Sequence, residues 1–130
     1  REISPLELVE LYLERIDQLD PTLGSYVVVA REQAIADAKA KTELLVHTPV
    51  EELPPFFGVP IPIKDLNPVA GMPCAYGVRW IKKRMATADD GVVKRIKDAG
   101  FILLGKTATS EMGILPYTEP SGFAPTRNPW

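Results

Sequence analysis

The sequence predicts an α/β fold, and three observations carry that reading. Asp89-Asp90 open an amphipathic helix, Gly100 ends it, and Phe101 to Leu104 (FILL) follow as an unbroken apolar run of strand length. Helix, glycine and doubly buried strand, in that order, mark an α/β unit with a covered sheet. Earlier, Ser25 to Ala30 (SYVVVA) is short and β-branched, and helical patterns lie on either side of it. Composition agrees: 130 residues with 45% hydrophobic and 25% charged side chains belong to the ordinary globular range.

Taken in order, Ser4-Pro5-Leu6-Glu7 is a capping box with proline at the first helical position. Leu6, Val9, Leu13, Ile16 and Leu19 recur at helical spacing, so residues 4–20 read as an amphipathic helix stopped by Asp20-Pro21. After the SYVVVA strand, residues 31–46 are rich in helix formers. Ala34, Ala38 and Lys41 share one face there, with Ile35 and Leu45 nearby. Pro49, Pro54 and Pro55 make residues 48–57 an irregular connection. In GVPIPIK (58–64) the alternate prolines remove ladder donors on one side, which predicts an edge strand. Val92, Val93, Ile96 and Ala99 form the inward face of the helix that precedes FILL. Beyond Gly105 the chain loosens, with a short helix at Ser110 to Met112.

Several function classes drop out on composition. A net charge of -2 gives no general attraction for nucleic acid, and the short cluster Lys82-Lys83-Arg84 beside Trp80 reads as a solvated face. No apolar run approaches the roughly 20 residues that span a bilayer. A single cysteine, Cys74, and a single histidine, His47, exclude an internal disulfide and argue against a zinc site. They suit a reducing, cytoplasmic setting. Cys74 reads as a small buried packing residue, and His47 as a helix-end cation that suits the dipole.

Four segments, in order and spacing, together resemble the amidase-signature family. They are SPLELVELYLERIDQLDP at the start, GVPIPIKD with the Gly71-Met72-Pro73 turn, DDGVVKRIKDAGFILLGKTATSEMG (89–113), and Pro125-Thr126-Arg127-Asn128-Pro129-Trp130. The resemblance covers nearly the whole chain. It implies part of a fold with a mixed central sheet covered by helices on both faces. Residues 1–130 would be the amino-terminal portion of a single such domain, the serine-bearing remainder following residue 130. It also implies a Ser-cisSer-Lys triad, of which only Lys64 maps onto this sequence. In that scheme a neutral lysine takes a proton from a bridging serine, which takes the proton of the attacking serine.

The residues themselves are compatible with that role. Val59, Ile61 and Ile63 alternate on one face and leave Pro60, Pro62 and Lys64 on the other. A lysine at the end of an apolar strand, with only the adjacent Asp65 as a nearby carboxylate, is in a setting that permits the desolvation a basic amine needs. Asp65 reads as an orienter of Lys64 or as a turn former. Ser110, Ser121 and Ser25 lack the glycine-flanked elbow of a nucleophile. Ser110 reads as the cap of the short helix, and similarity to the family places the 109–112 segment, Ser110 and Met112 included, near the substrate pocket.

The function so implied is hydrolysis of a carboxamide, linear or cyclic, to carboxylate plus amine or ammonia. It needs no cofactor or metal, and its partners reduce to a small-molecule amide and at most a second copy in a homodimer. The A subunit of a glutamyl-tRNA amidotransferase is the competing reading. Against it, Leu66 stands where that subunit usually has asparagine, and ATSEMGILPYTEP departs from its typical NMDEFAMGSSTE. A third reading is an inert fragment. The 130 residues alone are expected to be inactive, with exposed apolar patches where FILL awaits neighbours from the missing half.

Overall fold

The computed structural model describes residues 2–81 and 83–130. Three α-helices and three strands follow one another as α1 (Pro5–Leu23), β1 (Tyr26–Val29), α2 (Arg31–His47), β2 (Pro60–Lys64), α3 (Gly91–Asp98) and β3 (Ile102–Thr107), with short 3-10 turns between them. The sheet is mixed. Its order is β1-β3-β2, with β1 antiparallel and β2 parallel to the central β3.

Helix α1 begins as its box predicts. The Ser4 hydroxyl accepts the Glu7 amide at 3.2 Å, and the Glu7 carboxylate accepts the Ser4 amide at 2.8 Å. A further orphan donor, the Leu6 N–H, reaches Thr42 Oγ1 of α2 at 3.1 Å. Val9, Leu13 and Ile16 are buried against Ala34 and Ala38 of α2 and against Ile102 and Leu104 of β3. Small alanines let the two helices approach, and Arg31 ties them at the rim through both Asp17 carboxylate oxygens. Leu19 departs from the expected stripe and stays 45% exposed.

Two boundaries and one buried face differ from the sequence reading. Helix α1 does not stop at Asp20-Pro21 but continues to Leu23. Pro21 in the last turn forgoes its own N–H bond to the preceding turn, and Asp20 caps the exit by accepting the Ser25 and Tyr26 amides. Val92 lies outside the α3 core face at 46% exposure. Strand β3 does not end at Leu104 but runs on through Gly105 to Thr107.

A β-bulge makes that last extension possible. Ile61 pairs with Leu103, and the next pairing is Ile63 with Lys106, so β3 carries one extra residue there. Gly105 absorbs it at φ +144, with its Cα packed against the Val28 carbonyl. Before the bulge, Ile102 and Leu104 face α1 and α2, while Leu103 joins Ile63, Val69, Met72 and Val93 on the opposite face. The extra residue reverses that alternation, and Lys106 emerges on the Leu103 side.

Both neighbours of β3 therefore come from this chain, contrary to the expectation that they lie mostly elsewhere. Large apolar side chains are nonetheless exposed, among them Trp80 at 86%, Ile114 at 78%, Val46 at 71% and Trp130 at 104%. The terminal segment lies along the end of α1, with Thr126 Oγ1 donating to Gly24 O and the Arg127 amide to Leu23 O. Among the described residues no helix is long and apolar enough to cross a membrane.

Candidate active site

Lys64 is the last residue of β2, level with Thr107 of β3. The Asp65 amide donates to Thr107 O at 2.9 Å and the Asn67 amide to Lys64 O at 3.1 Å, so the strand ends in a fixed turn. Edge position and the prolines at 60 and 62 leave the lysine face open. Lys64 is exposed, and among the described residues its amine makes no hydrogen bond or ion pair. The burial its apolar strand suggested is not supplied by this chain.

Asp65 turns the other way and is 2% exposed. Its Oδ1 accepts Lys106 Nζ at 2.7 Å, and its Oδ2 accepts the Ala75 amide at 3.1 Å. Lys106 is entirely buried and donates a second, longer bond to Pro73 O at 3.3 Å. Cys74 is buried beside them, its thiol 4.0 Å from Asp65 O, which matches its expected packing role. The sequence reading passed over Lys106. The available signal was a lysine inside the apolar run FILLGKT, where a buried cation calls for a carboxylate partner.

The 109–113 segment packs against the same turn. The Leu66 side chain fills the space beside Gly113, where a Cβ would lie 2.7 Å from Leu66 Cδ1. Ser110 is buried and precedes the 3-10 turn Glu111–Gly113, yet its hydroxyl does not cap that turn. It instead accepts the Leu115 amide and donates to Leu115 O, both at 3.2 Å. Closing its own loop satisfies the hydroxyl better than a single-turn helix would.

Met112 is 61% exposed, with φ +53, and its amide donates to the carbonyl of Tyr76, itself at φ +52, at 2.7 Å. Two non-glycine residues in the left-handed region, bonded to one another, concentrate strain beside the Lys64 turn. Desolvation, helped by the neighbouring Cys74 thiol, pushes the Tyr76 phenol up.

The structure thus gathers the Lys64–Leu66 turn, the 73–76 loop and the 109–113 segment at the carboxyl ends of β2 and β3. Chemically they offer an open amine on a rigid support. Ser110, the nearby serine, is committed to Leu115. A cavity of about 540 Å³ lies between α2 and the 69–73 loop, and neither Lys64, Ser110 nor Met112 lines it. Among the described residues no cluster of His, Cys, Asp and Glu could hold a metal ion. Of the Lys82-Lys83-Arg84 cluster, Lys82 lies outside the described residues, and Lys83 and Arg84 are exposed.

Comparisons with known proteins find amidases and glutamyl-tRNA amidotransferase A subunits alike. The amidase family pattern matches residues 7–130. A putative amidase of Synechocystis is 57% identical over 131 residues, which take in 100% of this chain and 26% of the relative. The solved structure of a bacterial aryl acylamidase of the amidase-signature enzymes superposes with a TM-score of 0.89 at 31% identity, covering 98% of this chain and 26% of that one. A 6-aminohexanoate cyclic dimer hydrolase superposes at 0.83 with 33% identity, covering 99% and 25%. The chain spans about a quarter of the length of the relatives it matches.

Proposed function

The chain belongs to the amidase-signature family, and from that premise we propose that it supplies Lys64 as the general base of a carboxamide hydrolase. The serine nucleophile, the bridging serine and the oxyanion donors come from a longer polypeptide that carries these residues. One observation carries the reading: Lys64 ends a strand whose turn is held by backbone hydrogen bonds to Thr107 O and Lys64 O, and among the described residues its amine is left without a partner. A base must be held still and yet be free to exchange a proton.

In the assembled site the neutral Lys64 amine takes the proton of the bridging serine. That serine takes the proton of the nucleophile as it attacks the amide carbon. On collapse of the tetrahedral intermediate the protons return to the leaving amine, and water then releases the acyl group as carboxylate. The substrate is a small-molecule carboxamide, and relatives that act on aryl and cyclic amides support that class. The exposed Met112, on its strained turn beside Lys64, contributes to the pocket wall, with Ser110 holding the loop in shape.

Amide hydrolysis by the full polypeptide, followed through the released amine, tests this. Lys64→Ala should abolish turnover, because removing a member of a concerted triad forfeits most of the acceleration. The 130-residue chain alone should be inactive. Undiminished turnover in the Lys64→Ala protein would defeat the proposal. Glutamine hydrolysis that appears only with a second polypeptide would favour the amidotransferase arrangement instead.

A further inference from the structure

The buried Asp65–Lys106 pair is hard to account for as a stabilising element. Its side chains are 3% and 0% exposed, so both charges have left water. The attraction between such partners commonly does no more than offset their desolvation, and an apolar pair of similar volume holds a fold equally well. Lys106 arrives there only because Gly105 adopts a conformation closed to other residues and reverses the strand's alternation. An arrangement this costly to build, placed against the turn of Lys64, calls for a role other than cohesion.

Its geometry supplies one. Asp65 is the carboxylate adjacent to Lys64 in the chain. Left free, it would be the natural counter-ion of that amine and would hold it as a paired ammonium. Both of its oxygens are taken instead, one by Lys106 Nζ and one by the Ala75 amide, on the side of the sheet that faces Met72 and Pro73. The same bonds pin the turn after β2 to β3 and to the 73–75 loop.

Resting on the amidase reading above, the geometry points to Lys106 as a positioning residue for Lys64: by capturing Asp65 it denies that amine a carboxylate partner. The Lys106 amine is buried and committed to Asp65 and to Pro73 O. Its effect passes entirely through Asp65, which makes a specific prediction about paired substitutions.

The test uses the full polypeptide and three variants, Lys106→Met, Asp65→Asn with Lys106→Met, and Lys64→Ala, with kcat and KM normalised to the folded fraction in each preparation. Lys106→Met frees Asp65 and should lower kcat about tenfold to a hundredfold, the range for a misplaced catalytic group, with KM within about threefold. The double variant has no carboxylate left to misdirect the amine and should return kcat to within about threefold of the parent. A purely cohesive role would lower the folded fraction and leave normalised kcat unchanged, which overturns the proposal. A double variant as slow as Lys106→Met also overturns it, since Lys106 would then act without Asp65. If Lys106→Met does not fold, Lys106→Gln takes its place with the same readouts: a folded but slowed Lys106→Gln protein that Asp65→Asn restores supports the proposal, and an unslowed one defeats it. Activity that survives Lys64→Ala removes the underlying amidase reading, whereas loss there with a normal Lys106→Met rate removes only this inference.

Discussion

Replacing Gly105 with alanine probes the bulge on which the site depends. A Cβ built there would lie 2.9 Å from the Val28 carbonyl carbon and 3.1 Å from the Ala30 amide nitrogen, and closer still to the Val28 carbonyl oxygen. All three neighbours are backbone atoms, so no rotamer change relieves the contact. Either β1 moves away or residue 105 leaves φ +144 and the bulge is lost. The strain contributes about 1–3 kcal/mol and two broken ladder bonds about 1 kcal/mol each, so the expected loss is about 3–5 kcal/mol. A typical domain is stable by only about 5–15 kcal/mol, so this is a large fraction of the whole. Gly71→Ala is the matched control. Its φ is +79 but nothing lies within 4 Å of the added carbon, so only the left-handed penalty of about 1–2 kcal/mol applies. Urea unfolding followed by circular dichroism, with hydrogen exchange at the Ala30 amide that donates to Leu104 O, measures both effects. If Gly105→Ala is no more damaging than Gly71→Ala, or leaves Ala30 fully protected, the close-packed bulge is refuted.

Leu13→Ala opens a cavity at a 1% exposed position between α1, α2 and β3, and should cost about 2–5 kcal/mol in urea unfolding without changing the denaturant slope. Ser4→Ala removes the hydroxyl that accepts the Glu7 amide and should cost about 1 kcal/mol by the same measurement. Acid should loosen the start of α3. Burial pushes Asp89 up, but the Lys97 hydrogen bond, the Ala70 amide and the Lys97 charge outweigh it and hold the carboxyl below its usual range. Asn67 and the Val92 amide do the same for Asp90. Both groups are depressed in the folded state, so their stabilisation is present above the unfolded value of about 3.9 and is lost as pH falls through the lower folded values. Unfolding midpoints compared at neutral pH and near pH 3 should show this loss, and Asp89→Asn with Asp90→Asn should reduce it. An unchanged acid sensitivity in that variant would place its origin elsewhere.

Local rules carried the reading a long way where each element carries its own punctuation. The Ser4 box opens α1, the alternate prolines of β2 put it at the sheet edge, and Asp90 caps α3 as expected, accepting the Val92 amide. What escaped was set by partners distant in sequence. Pro21 looks like a stop until Asp20 is seen to cap the residues beyond it. Gly105 looks like the end of a strand until β1 arrives alongside, and the bulge is what turns Lys106 toward Asp65, 41 positions earlier. At the candidate site, the motif singled out Lys64, but its open setting and the pairing of Asp65 with Lys106 follow from tertiary geometry that spacing does not encode.

The two tryptophans have a practical consequence. Trp80 and Trp130 are the only indoles in the chain, and both are almost wholly in water in the folded state, at 86% and 104% exposure. Their emission should already be that of a solvated indole, so melting of the α1–α2–β3 core will pass almost unseen by intrinsic fluorescence. The same property makes them a built-in, label-free reporter of coverage. A blue shift when another polypeptide is added, or when the chain is lengthened, would signal that one of these faces has gone dry.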